Sequence, residues 1–205
     1  MRALLVVVAA VILGACSKPA EQALPRGTRV LALGDSLTAG NGVSPAEAWP
    51  ALLASRTGWE IVNGGVSGDT SAGGLQRLPS LLEEHAPNLV FVSLGGNDIL
   101  RRVPQAETVA NLNRIVDLIQ ARGAKAVLLA APKPSITGAV FNNLSAAEFY
   151  GPIAKAHRIP LIEDALPEVL SDIKLKGDAL HPNAAGHQLL TKKIAEALKD
   201  IGYVR

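Results

Sequence analysis

Three side chains in this sequence have the types and spacing needed to activate a nucleophile. Asp178 and His181 stand three residues apart in the turn Lys176-Gly-Asp-Ala-Leu-His-Pro182, so the carboxylate can reach one ring nitrogen while the other points outward. Ser36 follows an apolar run that ends abruptly at Gly34. A serine hydroxyl is a weak nucleophile at neutral pH and needs a base that a third group holds in the right tautomer. Ser36, His181 and Asp178 therefore predict catalysis by an activated serine.

The turn around Ser36 also allows a second interpretation. Serine and aspartate are favoured helix caps, and glycine-rich loops bind phosphate, so Gly34 to Gly40 alone does not decide between a cap, a phosphate loop and a nucleophile. The stretch is not a G-x-S-x-G elbow, because Thr38 stands in place of the second glycine, and it lacks the lysine of a phosphate-binding loop. The distant pair Asp178 and His181 favours the nucleophile.

The elements that must position these residues follow an alternating pattern. Two capping boxes, Ser44-Pro-Ala-Glu47 and Ser145-Ala-Ala-Glu148, predict helix starts. Strands that are apolar throughout and alternate with amphipathic helices are typical of a parallel sheet covered on both faces. We predict an α/β protein, a three-layer α/β/α sandwich around a five-stranded parallel sheet, of flavodoxin-like type. The predicted strands are RVLALG, WEIVNGGV, NLVFVSLGG, AKAVLLAAP and RIPLIE, and the helical stripes are Val109, Leu112, Val116 and Ile119, then Leu190, Ile194, Ala197 and Ile201.

Polar, glycine-rich turns follow the first three predicted strands. They are Gly34-Asp-Ser36, the segment from Asn63 to Ser71, and Gly95-Gly-Asn-Asp98. In parallel α/β folds ligands bind beyond the carboxyl ends of the strands. We therefore expect these turns to meet at one edge of the sheet, with backbone N–H groups facing a negative charge.

The motifs GDSLTAG, NGGVSGDTS, GGND and DALHP, in this order, resemble the four blocks of the SGNH or GDSL hydrolases. The resemblance is nearest to the thioesterase I, lysophospholipase L1 and arylesterase branch and covers nearly all of residues 28 to 201. It implies that Ser36 is the nucleophile and that Asp178 and His181 complete a triad. It also implies an oxyanion hole formed by the Ser36 N–H, Gly68 and Asn97.

Two positions depart from the pattern of that branch. Ala179 stands where a glycine often follows the aspartate, and Gly65 adds a second glycine to the second block. We take Gly68 as the oxyanion residue because Ser67-Gly-Asp-Thr70 matches the family pattern.

We expect a serine esterase acting on small acyl esters or thioesters. Apolar residues after the fourth strand offer surface for an acyl chain: Ile136, Val140, Phe141 and Leu144. One alternative is a deacetylase of acetylated cell-envelope polysaccharide, although aromatic residues at 3% make a sugar-stacking platform less favourable. Another is a non-catalytic binding lipoprotein, which predicts a missing triad member, whereas every member is present.

The N-terminus has the layout of an export signal. Arg2 precedes an apolar run from Leu4 to Leu13 that is too short for the roughly 18 residues of a membrane span, and small residues lead to Cys16. Leu-Gly-Ala-Cys resembles a bacterial lipoprotein signal, with an ordinary signal peptide or uncleaved anchor as the alternative. We expect a signal over residues 1–16, lipidation of Cys16, a tether over 17–27 and the hydrolase domain over 28–205, placing the protein in the bacterial cell envelope, membrane-anchored or periplasmic.

Composition and residue spacing argue against nucleic-acid binding and against a metal or cofactor site. The net charge of +2 and the lack of basic runs argue against nucleic-acid binding. No histidine pair has metal-ligand spacing, and the single cysteine lies in the export segment, so we expect neither a metal nor a cofactor. We expect a monomer whose only macromolecular partner is the membrane, through the lipid.

Overall fold

A computed structural model describes residues 22–133 and 143–205 of the chain. Cys16 and three of the predicted acyl-chain residues, Ile136, Val140 and Phe141, lie outside these ranges. The strands are β1 (Arg29–Gly34), β2 (Glu60–Gly65), β3 (Leu89–Ser93), β4 (Lys125–Leu129) and β5 (Leu161–Ile162). They form a parallel five-stranded sheet with strand order β2-β1-β3-β4-β5, and helices cover both faces. This confirms the predicted α/β sandwich.

Strand β1 lies inside the sheet, between β2 and β3, and is buried on both faces. Leu31 and Leu33 point into one core layer, whereas Val30 and Ala32 point into the other. This explains why the run is apolar throughout instead of alternating. At its carboxyl end Gly34 is in register with Gly65 of β2 and Ser93 of β3, so the three strands end at the same level.

The helices form two layers. The helices are α1 (Ser36–Ala39), α2 (Trp49–Thr57), α3 (Ser71–His85), α4 (Gly96–Leu100), α5 (Gln105–Ala121), α6 (Tyr150–His157), α7 (Ala165–Ser171) and α8 (Ala184–Ile201). One layer packs α3, α5 and α6 on the sheet, and the other packs α2, α7 and α8 on the opposite face. Short 3₁₀ turns precede α2 and follow α7, at Pro45–Glu47 and Ile173–Leu175.

The first predicted capping box forms, but the helix that it starts is a short 3₁₀ turn. Ser44 and Glu47 bond to each other and the turn begins at Pro45, whereas α2 begins only at Trp49. A helix running on from Pro45 would place Pro50 in its interior, where proline lacks the N–H for the bond to residue 46. Beginning at Trp49 instead places Pro50 in the first turn.

The second predicted box, at Ser145, does not form. Ala146 forms an antiparallel bridge with Pro132, Ala147 N donates to Ala131 O at 3.0 Å, and α6 begins at Tyr150. Glu148 bonds Lys133 Nζ at 2.8 Å instead of capping a helix. A long-range pairing has replaced the local cap.

Residues 22–27, the part of the predicted tether that the structure describes, lie against the domain. Leu24 N donates to Tyr203 O at 2.9 Å, and Gly27 N donates to Gly58 O at 2.8 Å. Among residues 22–133 and 143–205, no helix combines the length and apolar character that crossing a bilayer requires.

Candidate active site

The serine turn is built where β1 ends. Asp35 caps α1, since its Oδ1 accepts a hydrogen bond from Leu37 N at 3.0 Å, and Ser36 is the first residue of the helix. A Cβ at Gly34 would lie 2.1 Å from Thr38 Oγ1, so only glycine allows Thr38 to pack beneath the turn. Gly40 then ends α1 with a positive φ of 86°. The result is a sharp strand-to-helix turn that presents Ser36.

His181 lies between Asp178 and Ser36. Its Nδ1 is 2.8 Å from Asp178 Oδ2, and its Nε2 is 2.9 Å from Ser36 Oγ. A carboxylate only accepts hydrogen bonds, so we assign the ring hydrogen to Nδ1, which leaves Nε2 free to accept from the serine hydroxyl. The structure therefore brings together the three residues that the sequence singled out.

The Asp178 carboxyl is ionised at neutral pH. The hydrogen bond with the His181 side chain, followed by the backbone N–H bonds of Leu180 and His181, lowers its pKa from 3.8 to about 2. These backbone bonds, 2.7 and 2.8 Å long, also hold the carboxylate in place although it lies at the surface.

Asn183 holds the loop that carries Asp178 and His181, and the sequence analysis missed it. Its side-chain amide donates to Lys174 O at 2.8 Å, while its Oδ1 accepts from Gly186 N at 3.0 Å as the cap of α8. An asparagine directly before an amphipathic helix is an N-cap signal that would have identified it.

The backbone N–H groups of Ser36 and Gly68, in two of the converging turns, donate to no other atom of the described residues. Gly68 has a positive φ of 76°, and Arg101 Nη2 holds its carbonyl at 2.7 Å. Both N–H groups are therefore available to an anion, as the predicted oxyanion hole requires.

Gly65, the other glycine of this segment, has a packing role. Its N–H donates to Asn63 Oδ1 at 3.0 Å, so this donor is already used. A Cβ at Gly65 would lie 2.2 Å from Ala39 N, which means that the glycine lets β2 approach α1. The geometry favours Gly68 over Gly65 as the oxyanion donor.

Asn97 stands beside the serine turn with its amide already bonded. Its Nδ2 donates to Asp69 O at 2.9 Å and to Asp35 Oδ2 at 3.1 Å. Sequence reasoning placed Asn97 at this edge but gave no indication of the contact with Asp35. Burial raises the pKa of the Asp35 carboxyl from 3.8 to about 6.

Two further residues, which the sequence did not indicate, tie the turns together. Arg77 donates from Nε to Asp69 Oδ2 at 2.8 Å and from Nη2 to Gly34 O at 2.9 Å. Buried Asp98 accepts from Ser71 N at 2.8 Å and Ser71 Oγ at 2.5 Å. The three turns are thus linked into one frame.

A cavity of about 240 Å³ opens beside Ser36 and His181. Of the four predicted acyl-chain residues, Leu144 lies within the described ranges, and it lines this cavity. The walls are mostly aliphatic: Ile99, Leu100, Pro132, Leu144, Leu170 and Leu180. The site therefore offers an apolar surface next to the polar side chains of Ser36 and His181.

In the described parts of the chain, no three His, Cys, Asp or Glu side chains are grouped so that they could hold a metal ion.

Comparison with known proteins gives a consistent family match. The model of the GDSL-like lipase/acylhydrolase family matches residues 32–189, which is more than half of the chain. Thioesterase 1/protease 1/lysophospholipase L1 of Escherichia coli (strain K12) is 37% identical over 177 residues, covering 84% of each chain. An arylesterase of Vibrio mimicus is 32% identical over 189 residues, covering 89% of this chain and 92% of the relative.

A solved structure agrees with these relatives. The crystal structure of TesA superposes with a TM-score of 0.75 at 35% identity and covers 84% of this chain and 98% of that one. Sequence and architecture thus point to the same group of proteins.

Proposed function

We propose that this chain, which belongs to the GDSL-like lipase/acylhydrolase family, hydrolyses acyl esters or thioesters with Ser36 as the nucleophile. That it is an esterase follows from its membership of the GDSL/SGNH hydrolases and from its esterase-named relatives. The observation that carries the assignment of Ser36 is the 2.9 Å contact between its Oγ and His181 Nε2 at the mouth of an apolar cavity.

In the proposed mechanism Ser36 Oγ attacks the substrate carbonyl carbon while His181 Nε2 takes the hydroxyl proton. Asp178 stabilises the resulting imidazolium through the Nδ1 hydrogen bond. The tetrahedral oxyanion accepts hydrogen bonds from the N–H groups of Ser36 and Gly68 and from the Asn97 amide.

Collapse of this intermediate breaks the bond to the leaving oxygen or sulfur, which receives the proton from His181, and leaves an acyl ester on Ser36. Water then attacks the acyl ester as His181 removes its proton. The second tetrahedral intermediate then breaks its bond to Ser36 Oγ, which takes the proton back from His181, and the carboxylic acid departs. The catalytic cycle uses no metal or cofactor.

The aliphatic cavity supports an acyl chain as the group bound beside Ser36. Leu144, Leu170 and Leu180 provide surface that a hydrocarbon buries favourably, at about 25 cal/mol per Å². Thioesters and aryl esters both remain within the proposal, since they differ in the leaving group and share the acyl part.

The test is a hydrolysis panel on wild type and Ser36→Ala: aryl esters of increasing chain length, acyl-CoA, lysophospholipid and acetylated sugars. We expect wild type to hydrolyse the acyl esters and Ser36→Ala to lose nearly all activity while keeping the wild-type melting temperature. Near wild-type turnover by a folded Ser36→Ala protein would contradict the nucleophile. Activity confined to acetylated sugars would favour a deacetylase.

We also propose export and lipidation at Cys16, on the strength of the Leu-Gly-Ala-Cys signal alone. Stable anchoring in a membrane takes more than one acyl chain. The proposed mature lipoprotein would carry enough lipid for this, and it should therefore sediment with membranes. Mass spectrometry of protein from the native host should find a lipid increment on Cys16. A soluble protein without that increment would contradict the proposal.

A further inference from the structure

The amide of Asn97 has two hydrogens, and both are bonded inside the protein. One is taken by the carbonyl of Asp69 at 2.9 Å and the other by Asp35 Oδ2 at 3.1 Å. An amide whose hydrogens are both engaged is held in one orientation. The contact with Asp35 spans 62 residues of sequence, so it belongs to the tertiary structure of the site.

Asp35 is placed to control that orientation. It is 4% exposed, it precedes Ser36 in the chain, and it borders the same cavity. Its other oxygen is fixed by Leu37 N at 3.0 Å, so the carboxyl cannot turn without losing the cap of α1. If the Asn97 amide were reversed, its Oδ1 would face a carboxylate oxygen, and two acceptors repel each other. Asp35 and the Asp69 carbonyl therefore both favour the orientation in which the Asn97 amide donates, and Asp35 is the acceptor at the serine turn.

We propose that Asp35 is a positioning residue that holds the Asn97 amide ready to donate to the oxyanion. As charge develops on the substrate oxygen, the hydrogen bonded to Asp35 is shared with the oxyanion. Asp35 itself does not touch the reacting atoms. This inference rests on the proposed role of Asn97 in the oxyanion hole.

Asp35→Ser separates the two roles of this side chain. Serine is a good N-cap and can still accept from Leu37 N, but it is too short to reach the Asn97 amide. We expect kcat to fall about 10- to 100-fold with KM changed less than about threefold, because the lost interaction matters only in the transition state. A residue that only caps α1 predicts near wild-type kcat for Asp35→Ser. Asp35→Asn keeps nearly the shape of the aspartate side chain and provides a second variant for the same kcat and KM measurements.

A double-mutant cycle with Asn97→Ala tests whether Asp35 acts through Asn97. In the Asn97→Ala background, Asp35→Ser and Asp35→Asn should lower kcat by less than about threefold further, since coupled residues are not additive. Melting temperatures of all variants identify any loss that comes from stability alone.

The outcomes separate the positioning role of Asp35 from the oxyanion role of Asn97. If Asn97→Ala lowers kcat and each Asp35 variant then lowers it by the same factor as in wild type, the positioning role of Asp35 is overturned and the oxyanion role of Asn97 stands. If Asn97→Ala folds and turns over normally, Asn97 leaves the mechanism and the role of Asp35 falls with it.

Discussion

Asp178 keeps its negative charge at the surface because it is bonded to His181 and to two backbone N–H groups. Its pKa of about 2 means that it is ionised throughout the range in which an esterase works. The charge fixes the Nδ1–H tautomer and stabilises the imidazolium that forms during attack on the substrate.

Asp178→Asn removes this charge while keeping the shape of the side chain. We expect kcat to fall by at least about 10²-fold, because an amide can leave the histidine in the wrong tautomer. Steady-state kinetics on an aryl ester measure the effect, with Asp200→Asn on the exposed face of α8 as the control. Equal rates for the two variants would exclude a role for the charge.

The close packing of Gly34 against Thr38 gives a second prediction about a single residue. Gly34→Ala forces a Cβ to within 2.1 Å of Thr38 Oγ1, so the serine turn must shift. Overpacking of this kind costs about 1–3 kcal/mol, and we expect kcat to fall with stability. Gly151→Ala in α6 is the matched control, since nothing lies within 4 Å of its Cβ. Equal stability of the two variants by urea unfolding would contradict the packing role of Gly34.

Single residues could be identified from the sequence where motif and chemistry agree. Ser36, Asp178 and His181 were predicted because their types suit one reaction, and the structure places them in contact. The bond between Asp35 and Asn97 could not be predicted, because each residue also has a plausible local role in its own turn. Only the packing of β1 beside β3 brings them together.

At the scale of elements, the strands were predictable and the helix starts were not. The five runs predicted from the sequence contain the five strands. Helix starts depend on competition between local caps and distant partners. Pro50 delayed α2, and the bridge between Ala146 and Pro132 replaced the cap predicted at Ser145.

Helix α8 carries a buried histidine whose titration weakens the fold in acid. His187 is inaccessible to solvent, its Nδ1 accepts from Trp49 N at 3.3 Å, and burial lowers its pKa from 6.5 to about 4. Below pH 6.5 the unfolded chain binds a proton that the folded protein does not. The free energy of unfolding contributed by this residue therefore declines as pH falls from 6.5 to about 4, by up to about 3 kcal/mol.

His187→Asn removes the titration and retains an acceptor for Trp49 N. Urea unfolding of both proteins from pH 7 to pH 4 should give a stability difference that shrinks as pH falls. Asp35 titrates with the opposite sign, since its pKa is raised, but it is present in both proteins and cancels. A stability difference that stays constant over this range would contradict the assignment.

At the scale of the molecule, the site joins the two ends of the domain. Ser36 and His181 are 145 residues apart, and they meet because α8 packs in the same layer as α2. Motif order indicated that the two ends must meet, but not how the loop before α8 is held. Asn183 does this by donating to the backbone carbonyls of Lys174 and Lys176, contacts that its N-cap signal alone does not reveal.

The unequal distribution of aromatic residues between the two layers has a spectroscopic consequence. The chain has two tryptophans, Trp49 and Trp59, and both are buried in the layer that contains α2 and α8. Intrinsic tryptophan fluorescence therefore reports the docking of the helix whose preceding loop carries His181, and it does not sense the layer of α3, α5 and α6 directly. Circular dichroism records both layers. Coincident unfolding curves from the two probes would mean that the layers separate in a single cooperative step.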